Sequence, residues 1–138
     1  MASERIKART ARFEGRRNVM YTDTNGIPTI GVGHNLTVPI SDEAVDLIFA
    51  QDLMDVEVRL VQALPWAVLL PEPWYAVLVD MAFNLGVGGL LRFEKMLAAL
   101  KAGDGARART EVLASAYASQ VGPRAIENAN LLESGAWP

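Results

Sequence analysis

Only one stretch of this chain carries strand chemistry. "VMYTDTNGIPTIGVG", residues 19 to 33, sets β-branched and aromatic residues on both sides of Asn25-Gly26. That dipeptide accepts positive φ at low cost and is a strong hairpin signal, and Pro28 suits the start or edge of a strand. Elsewhere apolar residues recur at helical spacing. One hairpin among helices confines the chain to an α+β, mostly helical class with a single small sheet.

Ser3 predicts a helix cap, with helix over about 4–13 and Gly15 just past its end, so that Glu14 lies at the carboxyl terminus of that helix. Ser41 opens a second helix in which Val45, Ile48 or Phe49, Leu53, Val56 and Leu60 form an apolar stripe, ending at Pro65 after about six turns. Pro73 suits a first helical turn and Gly86 its end. "LRFEKMLAALKAGD", "GARARTEVLASAY" and "PRAIENANLLESG" predict three further short helices.

The 138 residues are 51% hydrophobic, enough for one packed core or two small lobes sharing a helix, but not for two independent domains. Without cysteine there is no disulfide framework and no cysteine-based zinc site. The charged start "MASERIKART" has no apolar signal core, and the most apolar region is interrupted by Pro65, Pro71, Pro73 and Asp80, so the expectation is a cytoplasmic product without stable membrane insertion. Net charge −3 argues against nucleic acid as a partner. Charge is nevertheless segregated: six of thirteen basic residues fall within the first seventeen positions, which reads as a solvated face or as a contact surface for an anionic polymer. The glycines of "GVG" and "GVGG" lack the spacing, lysine and hydroxyl of a phosphate loop.

Glu14 and Asp23 bracket the hairpin entry. Hydrolysis of a glycosidic bond needs one carboxyl to protonate the leaving oxygen and a second to attack the sugar or to activate water. A helix's carboxyl end disfavours an ionised glutamate, which suits Glu14 to the acid role. Asp23 beside a tight turn is held by backbone amides in a wetter setting, and Thr29 across the turn offers a hydroxyl to the same water. Spacing alone decides little, because a chain with sixteen acidic residues holds many such pairs and aspartate in a turn is commonly turn chemistry.

The ordered string "FEG…YTDTNGIPTIGVGHN", then "ISDEAVDLIFAQDL", "MAFNLGVGGLLRFEKMLAAL" and "ASQVGPRAIENANLLESGAW", resembles the phage lysozymes of the T4 type, glycoside hydrolase family 24, over nearly the whole chain. The resemblance implies a two-lobed lysozyme-like fold in one domain, residues 1–138. Its N-terminal β lobe takes in about 14–40, with the first helix packing on the C-terminal lobe. A connecting helix spans about 41–64, and a C-terminal helical lobe about 65–138. It further implies a monomeric, cofactor-free muramidase that cuts the β-1,4 bond between N-acetylmuramic acid and N-acetylglucosamine in peptidoglycan, from a cleft between lobes. Glu14 is then the general acid, Asp23 activates water, and Thr29 helps hold it. Such an inverting enzyme separates its carboxyls by roughly 6.5 to 9.5 Å.

By the same resemblance Arg124 reaches toward the catalytic glutamate, His34 pairs structurally with Asp52 and binds no metal, and Phe83 lines the cleft. Gly33, Asn35, Asn84 and Gln120 are weaker substrate contacts. The chain departs from the family pattern in a short segment between His34 and Ser41, and in Met96 and Glu111, which stand where small polar sugar contacts are found. The implied role is that of a phage or prophage endolysin, made in the host cytoplasm and released to the periplasmic wall through a separately encoded membrane lesion. The competing reading is a catalytically inactive lysozyme-fold protein that binds cell wall or a protein partner.

Overall fold

A computed structural model describes all 138 residues, which fall into two compact units, 1–46 and 47–138. The first unit opens with α1 (Glu4–Glu14). Ser3 caps it as expected, its Oγ accepting the Ile6 N–H at 3.4 Å, and the Gly15 N–H returns to the Ala11 carbonyl at 2.8 Å. Gly15 leaves the helix at φ 79°, a conformation that a Cβ disfavours, so the chain turns abruptly into the sheet with Glu14 as the last helical residue.

Three antiparallel strands follow in the order β1 (Arg17–Thr22), β2 (Pro28–Gly31) and β3 (His34–Asn35). The hairpin forms around Asn25-Gly26, with Gly26 at φ 78°, Tyr21 opposite Thr29 and Arg17 opposite Gly31. β1 carries an irregularity between Arg17 and Tyr21. The third strand is an addition to the single hairpin expected: Gly31 and Gly33, at φ 67° and 65°, reverse the chain tightly enough to pair Ile30 with His34 and Thr29 with Asn35. β2 is therefore the central strand, and Thr29 in it is the one buried residue of the first unit.

α2 (Asp42–Ala63) begins in the first unit and continues into the second. Ser41 Oγ accepts the Ala44 N–H at 3.2 Å. Its 22 residues span about 33 Å at the usual rise, and it ends just before Pro65. The apolar stripe expected along it is corrected by the structure: Val45, Ile48 and Phe49 are about half exposed and only Leu60 is buried. The early turns run outside the apolar core, which starts at Leu60.

The second unit continues with a 3₁₀ turn (Pro65–Leu69) and α3 (Glu72–Leu90), which Gly86 interrupts at φ 76°. α4 (Glu94–Lys101), α5 (Gly105–Leu113), α6 (Ala116–Val121) and α7 (Pro123–Ser134) complete it. Where one helix was expected over "GARARTEVLASAY" there are two, because Ser115 is extended and its Oγ donates to the Val112 carbonyl at 2.6 Å. Val77, Leu78 and Met81 of α3, Leu100 of α4, Val112 of α5 and Leu132 of α7 are fully or almost fully buried and define the core. α5 and α7 meet closely at Gly105: a Cβ there would overlap the Leu132 carbonyl and press the Trp74 ring. The molecule is thus mostly helical with one small antiparallel sheet, the α+β class expected of it. No single helix is long and apolar enough to cross a membrane.

Candidate active site

The turn between β1 and β2 is built on Asp23. Its backbone N–H donates to the Ile27 carbonyl at 3.0 Å and its carbonyl accepts the Gly26 N–H at 3.0 Å. Its side-chain Oδ1 accepts the N–H groups of Asn25 at 2.8 Å and Ile27 at 2.9 Å. Aspartate mimics a backbone turn in this way, which is why the sequence "DTNG" folds locally. Both amides fall on one oxygen, so Oδ2 is left without a protein donor on a half-buried side chain.

Thr29 stands on the central strand at 4% exposure, and its Oγ1 donates to the Ile27 carbonyl at 2.8 Å. With the hydroxyl proton committed, what Thr29 offers a water is a lone pair. Asp23 and Thr29 are thereby anchored on the two polar groups of a single residue, Ile27.

Glu14 is exposed at the end of α1, and its carboxyl lies against the glycine reversal that follows β2. A Cβ placed on Gly33 would sit 2.9 Å from Glu14 Oε2 and 3.4 Å from its Cδ. The strand register accounts for this approach, since pairing Arg17 with Gly31 sets the reversal beside the chain just after Gly15. Asn35 lies opposite Thr29 in β3, and its Oδ1 accepts the N–H and hydroxyl of Thr37 at 2.8 and 2.6 Å. The half-buried His34 has its Nε2 enclosed and without a hydrogen-bond partner. Asp52 is exposed on α2.

Within the second unit, Phe83 and Arg124 line one groove of about 460 Å³ together with Phe49, Tyr75, Asp80 and Trp137. Phe49 and Phe83 meet edge to face with centroids 5.8 Å apart. Where the resemblance directs Arg124 toward the catalytic glutamate, its guanidinium is held by Asp80, Nη2 at 2.7 Å from Oδ1 and Nε at 2.9 Å from Oδ2. Asn128, one turn further along α7, donates to Asp80 Oδ2 at 2.9 Å and to Tyr117 Oη at 3.1 Å. Burial works to raise the Asp80 pKa, but the hydrogen bonds from Arg124 and Asn128, with the Arg124 charge, hold it below the usual carboxylate range. Asp80 raises Arg124 in return. Burial, with the hydrogen bond to Glu57 at 2.9 Å, pushes the Tyr75 phenol up to about 12.

Asn84 and Gln120 are exposed and lie outside that groove; Met96 belongs to the core. Asp80, Asn128 and Tyr117 were not singled out as site residues from sequence. The available signals were a lone carboxylate inside the apolar run "AVLVDMAF" and the one-turn spacing of Arg124 and Asn128, which sets both on one face of α7.

The family model described as phage lysozyme matches residues 11–128. The pre-baseplate central spike protein Gp5 of Enterobacteria phage T4 is 31% identical over 126 aligned residues, covering 67% of this chain and 21% of that protein. The chain therefore spans about a fifth of the length of this relative. With a match over most of its residues, including the whole turn that carries Asp23 and Thr29, the chain belongs to the phage lysozyme family.

Proposed function

We propose that this chain is a muramidase that hydrolyses the β-1,4 bond between N-acetylmuramic acid and N-acetylglucosamine in peptidoglycan with inversion. The observation that carries the reading is the Asp23–Ile27–Thr29 arrangement: one carboxylate oxygen tied by two amides, the other without a protein donor, and a threonine hydroxyl anchored on the same Ile27 with its proton already spent. In this reading a water donates one proton to Asp23 Oδ2 and the other to Thr29 Oγ1 as a hydrogen bond. Its oxygen then attacks the anomeric carbon while Glu14 protonates the departing glycosidic oxygen. The water–carbon bond forms as the carbon–oxygen bond breaks. Asp23 ends protonated and Glu14 ionised, and solvent resets both.

The remaining assignments follow from this reading. Phe83 offers an exposed aromatic face of the kind that packs on a sugar ring, and Asn35 and Gly33 belong to the strand reversal beside Glu14. No cofactor takes part, and peptidoglycan is the partner. The role is that of an endolysin made in the host cytoplasm and acting on the wall after release through a membrane lesion. Likeness to a phage spike protein favours a second role for the same chemistry, wall penetration at the start of infection. The two separate by location: a lysis enzyme is found free in lysates, a penetration enzyme in purified particles.

The test is clearing of outer-membrane-permeabilised Gram-negative cells, with mass analysis of the fragments. The parent is expected to release muropeptides with reducing N-acetylmuramic ends, and Glu14→Gln to lower kcat by about 10²- to 10⁴-fold with wall binding retained. A folded parent that clears nothing would leave the inactive wall-binding reading in its place.

A further inference from the structure

We infer that Gly33 is a positioning residue for the proposed acid, acting on Glu14 through the absence of a side chain rather than by touching sugar. The inference rests on the reading of Glu14 as the general acid. An exposed glutamate at the end of a helix has several rotamers open to it, and none of the hydrogen bonds in the structure fixes its carboxyl. What bounds it is the backbone of the reversal. At Gly33 the main chain comes so near that a Cβ would stand 2.9 Å from Oε2, 3.4 Å from Cδ and 3.7 Å from Cγ. Real Cβ atoms do not approach an oxygen that closely, so a side chain at position 33 forces Oε2 of the carboxyl to shift. Placement of a proton donor tolerates little error: a displacement of about 1 Å costs on the order of 10²-fold in rate.

The neighbouring reversal glycine separates this effect from ordinary backbone cost. Gly31 has φ 67° and Gly33 φ 65°, so alanine at either meets the same left-handed penalty. A Cβ on Gly31, however, meets nothing within 4 Å. In what an added Cβ would meet, the two positions differ only by the Glu14 carboxyl.

The experiment compares Gly33→Ala and Gly31→Ala for Tm, and for kcat and KM on solubilised uncrosslinked glycan across the pH range. Both variants are expected to lose Tm, Gly33→Ala slightly more because its Cβ also displaces the Glu14 carboxyl. Gly33→Ala alone is expected to lose kcat, by up to about 10²-fold, with KM little changed and a displaced alkaline limb in its pH profile. Equal kcat in the two variants, whether both fall or both hold, overturns the inference. If Gly33→Ala does not fold, Glu14→Ala in the same chain removes the atoms it strikes and is expected to restore the fold; failure to restore it overturns the inference too. A parent without activity brings down the muramidase reading instead, and the contact is then read from Tm alone: Gly33→Ala should cost less in the Glu14→Ala background than in the parent, and equal costs overturn it.

Discussion

In the proposed mechanism Asp23 carries two tasks on one side chain, and they sit on different oxygens. Oδ1 holds the turn through Asn25 and Ile27, while Oδ2 is free for water. Asp23→Asn keeps an oxygen that accepts the two amides and removes the base, so it is expected to fold with a Tm near the parent's and to lose about 10²- to 10⁴-fold in kcat. Asp23→Ala removes both and is expected to lower Tm as well, a contrast read by thermal melts beside turnover. The turn was legible in the sequence because "DTNG" states its own backbone chemistry within four residues. The contact of Gly33 with Glu14 was not, since it depends on how the strand register brings residue 31 beside residue 17. Asp80 was hidden for a related reason: its partners lie 44 and 48 residues away, and nothing in its immediate neighbourhood calls for a charge.

At the scale of the elements, caps and breakers were read well and faces were not. Ser3, Ser41, Gly15 and Gly86 act where their local chemistry says they should. The stripe along α2 has helical period yet stays largely exposed, because periodicity reports which residues share a face and not whether anything covers it. The division between α5 and α6 escaped for want of a glycine or proline; a serine hydroxyl bonding back to Val112 does the work instead. Close packing of α5 on α7 gives a stability prediction at this scale. Gly105→Ala must move Leu132 or Trp74 and is expected to cost about 1 to 3 kcal/mol in chemical denaturation. Gly88→Ala, in the same helical unit but facing open space, is expected to be neutral or slightly stabilising.

For the molecule as a whole, the apolar core and the proposed chemistry occupy different parts of the chain. Every buried hydrophobic residue lies between Leu60 and Leu132, whereas Glu14, Asp23 and Thr29 precede α2. The pH response belongs to the core side. Asp80 joins α3 to α7 through Arg124 and Asn128, and its folded pKa is depressed. Its contribution to stability is therefore complete above the ordinary aspartate pKa of about 4 and is lost as pH falls through the lower folded value. Melts of the parent between pH 7 and 3 should show Tm dropping at the acid end, and Asp80→Asn should start lower and vary less over that range.

The near absence of buried residues ahead of α2 has a practical consequence. Ellipticity comes mostly from helices cemented by the core, while Asp23 and Thr29 hang on a short hairpin kept in shape by hydrogen bonds around Ile27 and Glu14 ends a short helix with no buried residue. Regions with few apolar contacts open at lower free energy than the rest. On slow heating, lytic power should fade several degrees before the circular dichroism changes, and return on cooling as long as the helices have not melted. A shelf-life assay that follows ellipticity would then certify preparations that no longer lyse.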